Sequence, residues 1–195
     1  LMGLVHVRNR IDQLRPVLAS EVVTFRTRVG NLQPHDKGIT FDLISEAWVG
    51  AEKVWVDYST YLRRQPAPRT EGGKPAKAAK PAKAAASEKP AASAFWNVPG
   101  DIGRRYGAIS GDRNPIHLYA ATAKLLGFPQ AIAHGMWTKA ACLAAMESRL
   151  PDAYSVDVQF KLPVLLPAKV AFSSEPTSDG FNFAVNDARK GRPHV

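Results

Sequence analysis

The sequence predicts an α+β fold in which an antiparallel sheet wraps one central helix, arranged as tandem units of which the first is incomplete. Three observations predict it. Runs with strand-like alternation recur at 5–14, 37–49, 53–64, 154–162 and 180–191, the pattern of strands with one covered face. The stretch "GMWTKAACLAAMESRL" (135–150) is small and apolar on most faces, as a helix enclosed by other elements must be. Finally, "PVLASEVVTF" (16–25) returns 147 positions later as "PVLLPAKVAF" (163–172), and both copies sit between strand-like runs.

The elements follow in order. Residues 1–65 form the first unit, which opens at Leu1 almost directly on strands and is therefore expected to lack its front part. Residues 66–93, "PAPRTEGGKPAKAAKPAKAAASEKPAAS", hold no aromatic or β-branched apolar residue, so they cannot bury enough surface to offset the entropy of ordering and read as a linker. Residues 94–195 form the second unit. Its front holds a short helix at 99–110, a second at 117–127 that Gly127 ends, and then the apolar helix of about sixteen residues. The final "DARKGRPHV" stops soon after a turn, so a last strand is expected to be cut short.

Composition narrows the function classes. A hydrophobic content of 45% suffices for a packed core. The single cysteine, Cys142, excludes an internal disulfide and reads as a small apolar residue inside a helix, which fits a reducing compartment. No apolar run approaches the roughly 20 residues of a membrane span, and no signal-peptide pattern is present, so the chain reads as cytoplasmic. The formal charge of +9 suggests nucleic acid until its position is noted: residues 66–93 carry +4 of it, with no interleaved aromatics. No nucleic-acid partner is therefore expected.

Chemistry concentrates in "SGDRNPIHLYAATAKLLGFPQAIAHGMW" (110–137). Gly111 and Asn114-Pro115 oppose a continuous helix, so Asp112 and His117 can converge from one bent loop. An imidazole titrates near neutrality, and a partly buried carboxylate beside it can be tuned toward an acid, which together make a proton-handling pair. The competing reading has Asp112 capping the turn and His117 held by a structural hydrogen bond. Gly135 opens the apolar helix, where unpaired amides face outward and the absence of a Cβ admits a ligand oxygen. His134 reads as an orienting residue at the helix entry. Asp112, His117 and His134 could supply three metal ligands, but no HxH or HxxxH spacing supports a preformed site, and no metal is expected.

"YGAISGDRNPIH" followed by "GFPQAIAHGM" closely resembles the hydratase motif of MaoC-like proteins, the (R)-specific enoyl-CoA hydratases and 3-hydroxyacyl-thioester dehydratases of hot-dog fold, and the tandem layout resembles their bacterial double hot-dog members. The resemblance covers most of 95–172. It implies that Asp112 and His117 are the catalytic pair, that Gly135 offers its amide to the thioester carbonyl, and that Ser110, Asn114 and His134 support them. The implied reaction is reversible syn hydration of a trans-2-enoyl thioester to the (3R)-hydroxyacyl product. It needs no separate cofactor, because the thioester acidifies the reacting carbon. The implied partners are an acyl-CoA or acyl-carrier-protein thioester, with a homodimer or an intrachain pseudo-dimer as the assembly. Arg104, Arg105 and Lys139 are either contacts for the phosphates of such a carrier or solvated helix charges. The alternatives are a non-catalytic acyl-thioester binding or assembly subunit and, on the same fold, an acyl-thioesterase.

Overall fold

The computed structural model describes residues 4–64 and 91–195. The alternating runs at 5–14, 37–49 and 53–64 become β1 (Leu4–Gln13), β3 (Gly38–Val49) and β4 (Glu52–Arg64), and a further strand, β2 (Val23–His35), forms where no alternating run was expected. They pair antiparallel, and a strand from the far end of the sequence, β6 (Tyr154–Gln159), lies against β1 from Arg8 opposite Gln159 to Gln13 opposite Tyr154. The resulting sheet runs β2-β3-β4-β1-β6. A second sheet, β5-β7-β8, is built from β5 (Ala94–Val98), β7 (Ala168–Pro176) and β8 (Phe181–Asp187). Of the linker expected at 66–93, residues 66–90 lie outside the described residues, and Ser93 already donates its amide to the Phe172 carbonyl at 2.8 Å.

From β5 the chain passes through α1 (Ile102–Ser110), α2 (Pro115–Leu118), α3 (Ala120–Leu125) and α4 (Gly135–Met146) before it reaches β6. Cys142 and Met146 of α4 pack with Val98, Val170, Phe172 and Val185 of the second sheet, and this contact is the main core. Burial pushes the Cys142 thiol up to about 12, so the residue packs as a small apolar group. No helix among the described residues is long and apolar enough to cross a membrane.

Three local expectations change. The helix expected at 117–127 starts two residues earlier, because Pro115 suits a first turn, and breaks at Tyr119, whose backbone is extended (φ −142°, ψ 147°). Arg104 explains the break: its guanidinium bonds the Leu118 carbonyl at 2.9 Å and lies 5.1 Å from the Tyr119 ring centroid, diverting a carbonyl that would have continued the helix. Next, α4 has twelve α-helical residues followed by a 3₁₀ turn at Glu147–Arg149. It is also not enclosed all round, since Ala140, Ala144 and Ala145 are exposed. Last, the repeated phenylalanines part company. Phe172 on central β7 is buried, whereas Phe25 on edge strand β2 is 66% exposed, because only the central strand is covered.

Candidate active site

Gly111, with φ +75°, ends α1 and turns the chain into the 111–114 loop. The loop holds itself. Ser110 Oγ donates to the Tyr106 carbonyl (2.9 Å) and accepts from the Asp112 amide (3.2 Å), while Asp112 Oδ1 accepts from the Asn114 amide (3.1 Å). Asn114 Oδ1 then accepts from the Ile116 amide (3.4 Å) and caps α2, which carries His117. The bent path expected from Gly111 and Asn114-Pro115 is thus present, and it sets Asp112 and His117 side by side.

Helix α1 can lie on this loop because two of its residues have no side chain. A Cβ at position 103 would stand 1.9 Å from the His117 carbonyl oxygen, and one at position 107 would stand 2.8 Å from that of Asp112. The "GRRYG" spacing of 103–107 puts both glycines on one helix face, a signal present in the sequence that its reading passed over. Gly103→Ala is therefore expected to push α2 outward and lower kcat by about 10²-fold, as a misplacement near 1 Å does. Steady-state kinetics alongside circular dichroism checks it; unchanged kcat in a folded variant refutes it.

His117 is buried, and its Nδ1 faces the Ile132 carbonyl at 2.8 Å. Nδ1 therefore carries the proton and Nε2 keeps the lone pair of a base. Its ring stacks on His134 with centroids 3.7 Å apart. Burial first, then the neighbouring imidazole, push its pKa down to about 4, so the ring is neutral at pH 7. His134 is also buried, and burial lowers its pKa as well. Its Nε2 donates to the Asp112 backbone carbonyl at 3.0 Å and stands 3.7 Å from the carboxylate, so His134 orients the loop from the helix entry. Tyr106 closes the other side, its ring centroid 5.0 Å from that of His134.

Two expectations here need correction. Asp112 is not partly buried: its side chain is 54% exposed, because the loop lifts it onto the open side of the stacked imidazoles. And the missing Cβ of Gly135 has a packing cause. A Cβ there would lie 2.9 Å from the Phe160 ring, so glycine admits that ring, whatever its amide does for a ligand. Asp112, His117 and His134 each offer a ligand atom, all within 4.8 Å of one another, a group that could hold a cation.

Of the flanking cations, Lys139 departs from both of its expected readings. Arg105 is exposed on α1, and Arg104 is bound to residues 118 and 119 as described. Lys139 neither faces solvent nor reaches toward a phosphate, being 1% exposed. Its Nζ bonds Asn9 Oδ1 of β1 and lies 3.4 Å from the Val156 carbonyl of β6. Asn9 Nδ2 in turn donates to Asp57 and, at 3.0 Å, to Ser59, and Ser59 Oγ donates to Asp57 at 2.8 Å. Burial pushes the Lys139 ammonium down to about 8, opposed chiefly by the Asp57 charge. A polar network thus joins the helix of one segment to the sheet of the other.

Residues 75–190 match the MaoC like domain. The chain belongs to the MaoC-like family. Over 203 aligned residues this MaoC-like chain is 39% identical to 3-hydroxyacyl-thioester dehydratase X of Mycobacterium tuberculosis, spanning 100% of this chain and 67% of that protein. The crystal structure of HtdX from Mycobacterium tuberculosis superposes with a TM-score of 0.82 at 36% identity, covering 99% of this chain and 72% of that one. A MaoC-like dehydratase from Phytophthora capsici gives 0.77 at 21% identity, covering 99% and 69%. A Mycobacterium tuberculosis protein with a double hot-dog fold gives 0.56 at 15%, covering 97% and 72%. The last two speak for the fold alone, and the MaoC-like chain shares it: a hot-dog helix in antiparallel sheets.

Proposed function

We propose that this chain catalyses the reversible syn hydration of trans-2-enoyl thioesters of coenzyme A or acyl-carrier protein to (3R)-hydroxyacyl thioesters, and the reverse dehydration, in fatty-acid metabolism. The observation that carries the reading is a neutral, buried His117 with Nδ1 tied to the Ile132 carbonyl, leaving Nε2 as a base beside Asp112.

In hydration His117 Nε2 takes a proton from water as its oxygen bonds to C3. Asp112 delivers a proton to C2, and the Gly135 amide, in the first turn of α4, holds the enolate oxygen that forms between. Dehydration reverses each transfer. Either direction runs on a pair that shares one proton. Ser110, Asn114 and His134 hold the loop through the bonds described above. The pairing of β1 with β6 supports a partial, non-catalytic hot-dog unit, 1–65, working with the catalytic unit, 94–195, as an intrachain pseudo-dimer.

Incubating the protein with crotonyl-CoA and following the enoyl-thioester absorbance tests the reading. It expects loss of absorbance, an (R)-3-hydroxy product and no free thiol, with turnover kept after treatment with EDTA. Free thiol would indicate a thioesterase instead. Loss of activity on chelation, restored by a divalent cation, would assign the three-ligand group to a metal.

A further inference from the structure

Strand β1 carries a bulge where it passes the active site. His6 pairs with Tyr61 and Arg8 with Thr60, so Val7 is the extra residue. A bulge bends its strand and re-aims the flanking side chains. Here it is tied to the site: the Val7 carbonyl accepts from the Phe160 amide at 2.9 Å, and the Phe160 ring is the one packed on Gly135. The His6 ring lies 4.9 Å from Phe160 and stacks on Tyr61 at 4.7 Å. Both His6 and Tyr61 feel the charge of Asp112. Two side chains of the N-terminal segment thus reach the side of the molecule where the pair sits.

His6 Nε2 is buried and has no hydrogen-bond partner. An orphaned buried acceptor is destabilising, so its persistence needs a cause. Burial lowers the ring's pKa and the Arg8 backbone bonds it, so the imidazole is neutral with its proton on Nδ1 and a lone pair on Nε2.

We propose that His6 is a substrate-binding residue, contributed by the N-terminal segment, whose Nε2 accepts a hydrogen bond from an N–H or O–H donor of the bound thioester reactants. The inference rests on the hydratase reading. A thioester of this class offers two kinds of donor: the amides of the pantetheine arm, and the reacting water or 3-hydroxyl.

Full-length wild type, His6→Phe and His6→Gln are compared on crotonyl-CoA and on S-ethyl thiocrotonate, which has no amide, with Kd for crotonyl-CoA measured in parallel. His6→Phe is expected to lose about tenfold in kcat/KM on crotonyl-CoA, the scale of one buried hydrogen bond. His6→Gln, which keeps an acceptor, is expected to recover most of it. A loss confined to KM and absent with S-ethyl thiocrotonate assigns the donor to the pantetheine amide. A loss in kcat with both thioesters assigns it to the water or hydroxyl. Wild-type kcat, KM and Kd in His6→Phe, with or without a changed Tm, overturn the inference. If the wild type binds crotonyl-CoA without turning it over, the hydratase reading falls, and a tenfold weaker Kd in His6→Phe still upholds the contact. Absence of binding overturns both.

Discussion

Replacing His117 with alanine is expected to lower kcat for enoyl-thioester hydration by about 10²- to 10⁴-fold while leaving the chain folded. The imidazole stacked on it cannot take over as the base. The stacked His134 has its Nε2 engaged by the Asp112 carbonyl, and its unpartnered Nδ1 is buried. Asp112→Asn is expected to fall by a similar factor, since the amide fills the same space and still accepts from the Asn114 amide but cannot carry the proton to C2. A non-catalytic binding subunit predicts the opposite, function intact in both variants. Single-turnover kinetics with crotonyl-CoA separate the two outcomes, provided circular dichroism shows native structure.

The same histidine makes a pH prediction. With its pKa near 4, His117 stays neutral through the range where an ordinary imidazole protonates, so kcat/KM should show no break near pH 6.5. Stability should behave otherwise. Between about pH 6.5 and 4 the unfolded chain takes up a proton that the folded one refuses, so stability is full above 6.5 and falls as pH drops through the window. For this one group the fall amounts to at most about 3 kcal/mol. His6 and His134, also lowered, act in the same direction. Chemical denaturation at pH 7 and pH 5 checks it, and equal stabilities refute it.

The second large effect is expected at the Lys139 network. Asp57→Ala removes the carboxylate that opposes the burial of Lys139 and one of the two acceptors of the Asn9 amide, at an expected cost of about 3 kcal/mol. In a chain of this size that corresponds to a fall in Tm of roughly 6–12 °C. In a Lys139→Met background the same substitution should cost less than half as much, because no buried cation remains to be stranded. An undiminished cost there would show that the charge is irrelevant. Lys139 also sets an alkaline limb. From about pH 8 to 10.5 the unfolded chain binds the proton that the buried amine has lost, so stability should rise with pH in that window. Lys139→Met should abolish the rise.

The geometry of the candidate motif was legible because its logic is local. Gly111, Asp112, Asn114, Pro115 and His117 fall within seven positions, and loop geometry brings their side chains together with bonds of short sequence separation. Strands β1, β3, β4, β6 and β8 were legible from alternation, whereas β2, β5 and β7 fell outside the alternating runs; α4 was legible from its small apolar composition, although its exposed alanines were not, since composition alone does not reveal which face stays open. The role of Lys139 was illegible for a different reason. Its partner Asn9 is 130 residues away, and the two meet only because β6 pairs with β1 across the whole chain.

By itself, then, the sequence determined the fold class, the MaoC-like motif and the candidates for proton transfer, because these depend on side-chain chemistry, turn preferences and periodicity over a few residues. Only the tertiary structure decided that Asp112 stands open while His117 is dry. The same holds for Gly103, which gives way to a backbone carbonyl, and for the bulge at Val7, beside which the His6 ring packs on Tyr61 and Phe160. Those outcomes depend on desolvation and on contacts between segments remote in the chain, and local sequence pattern carries neither.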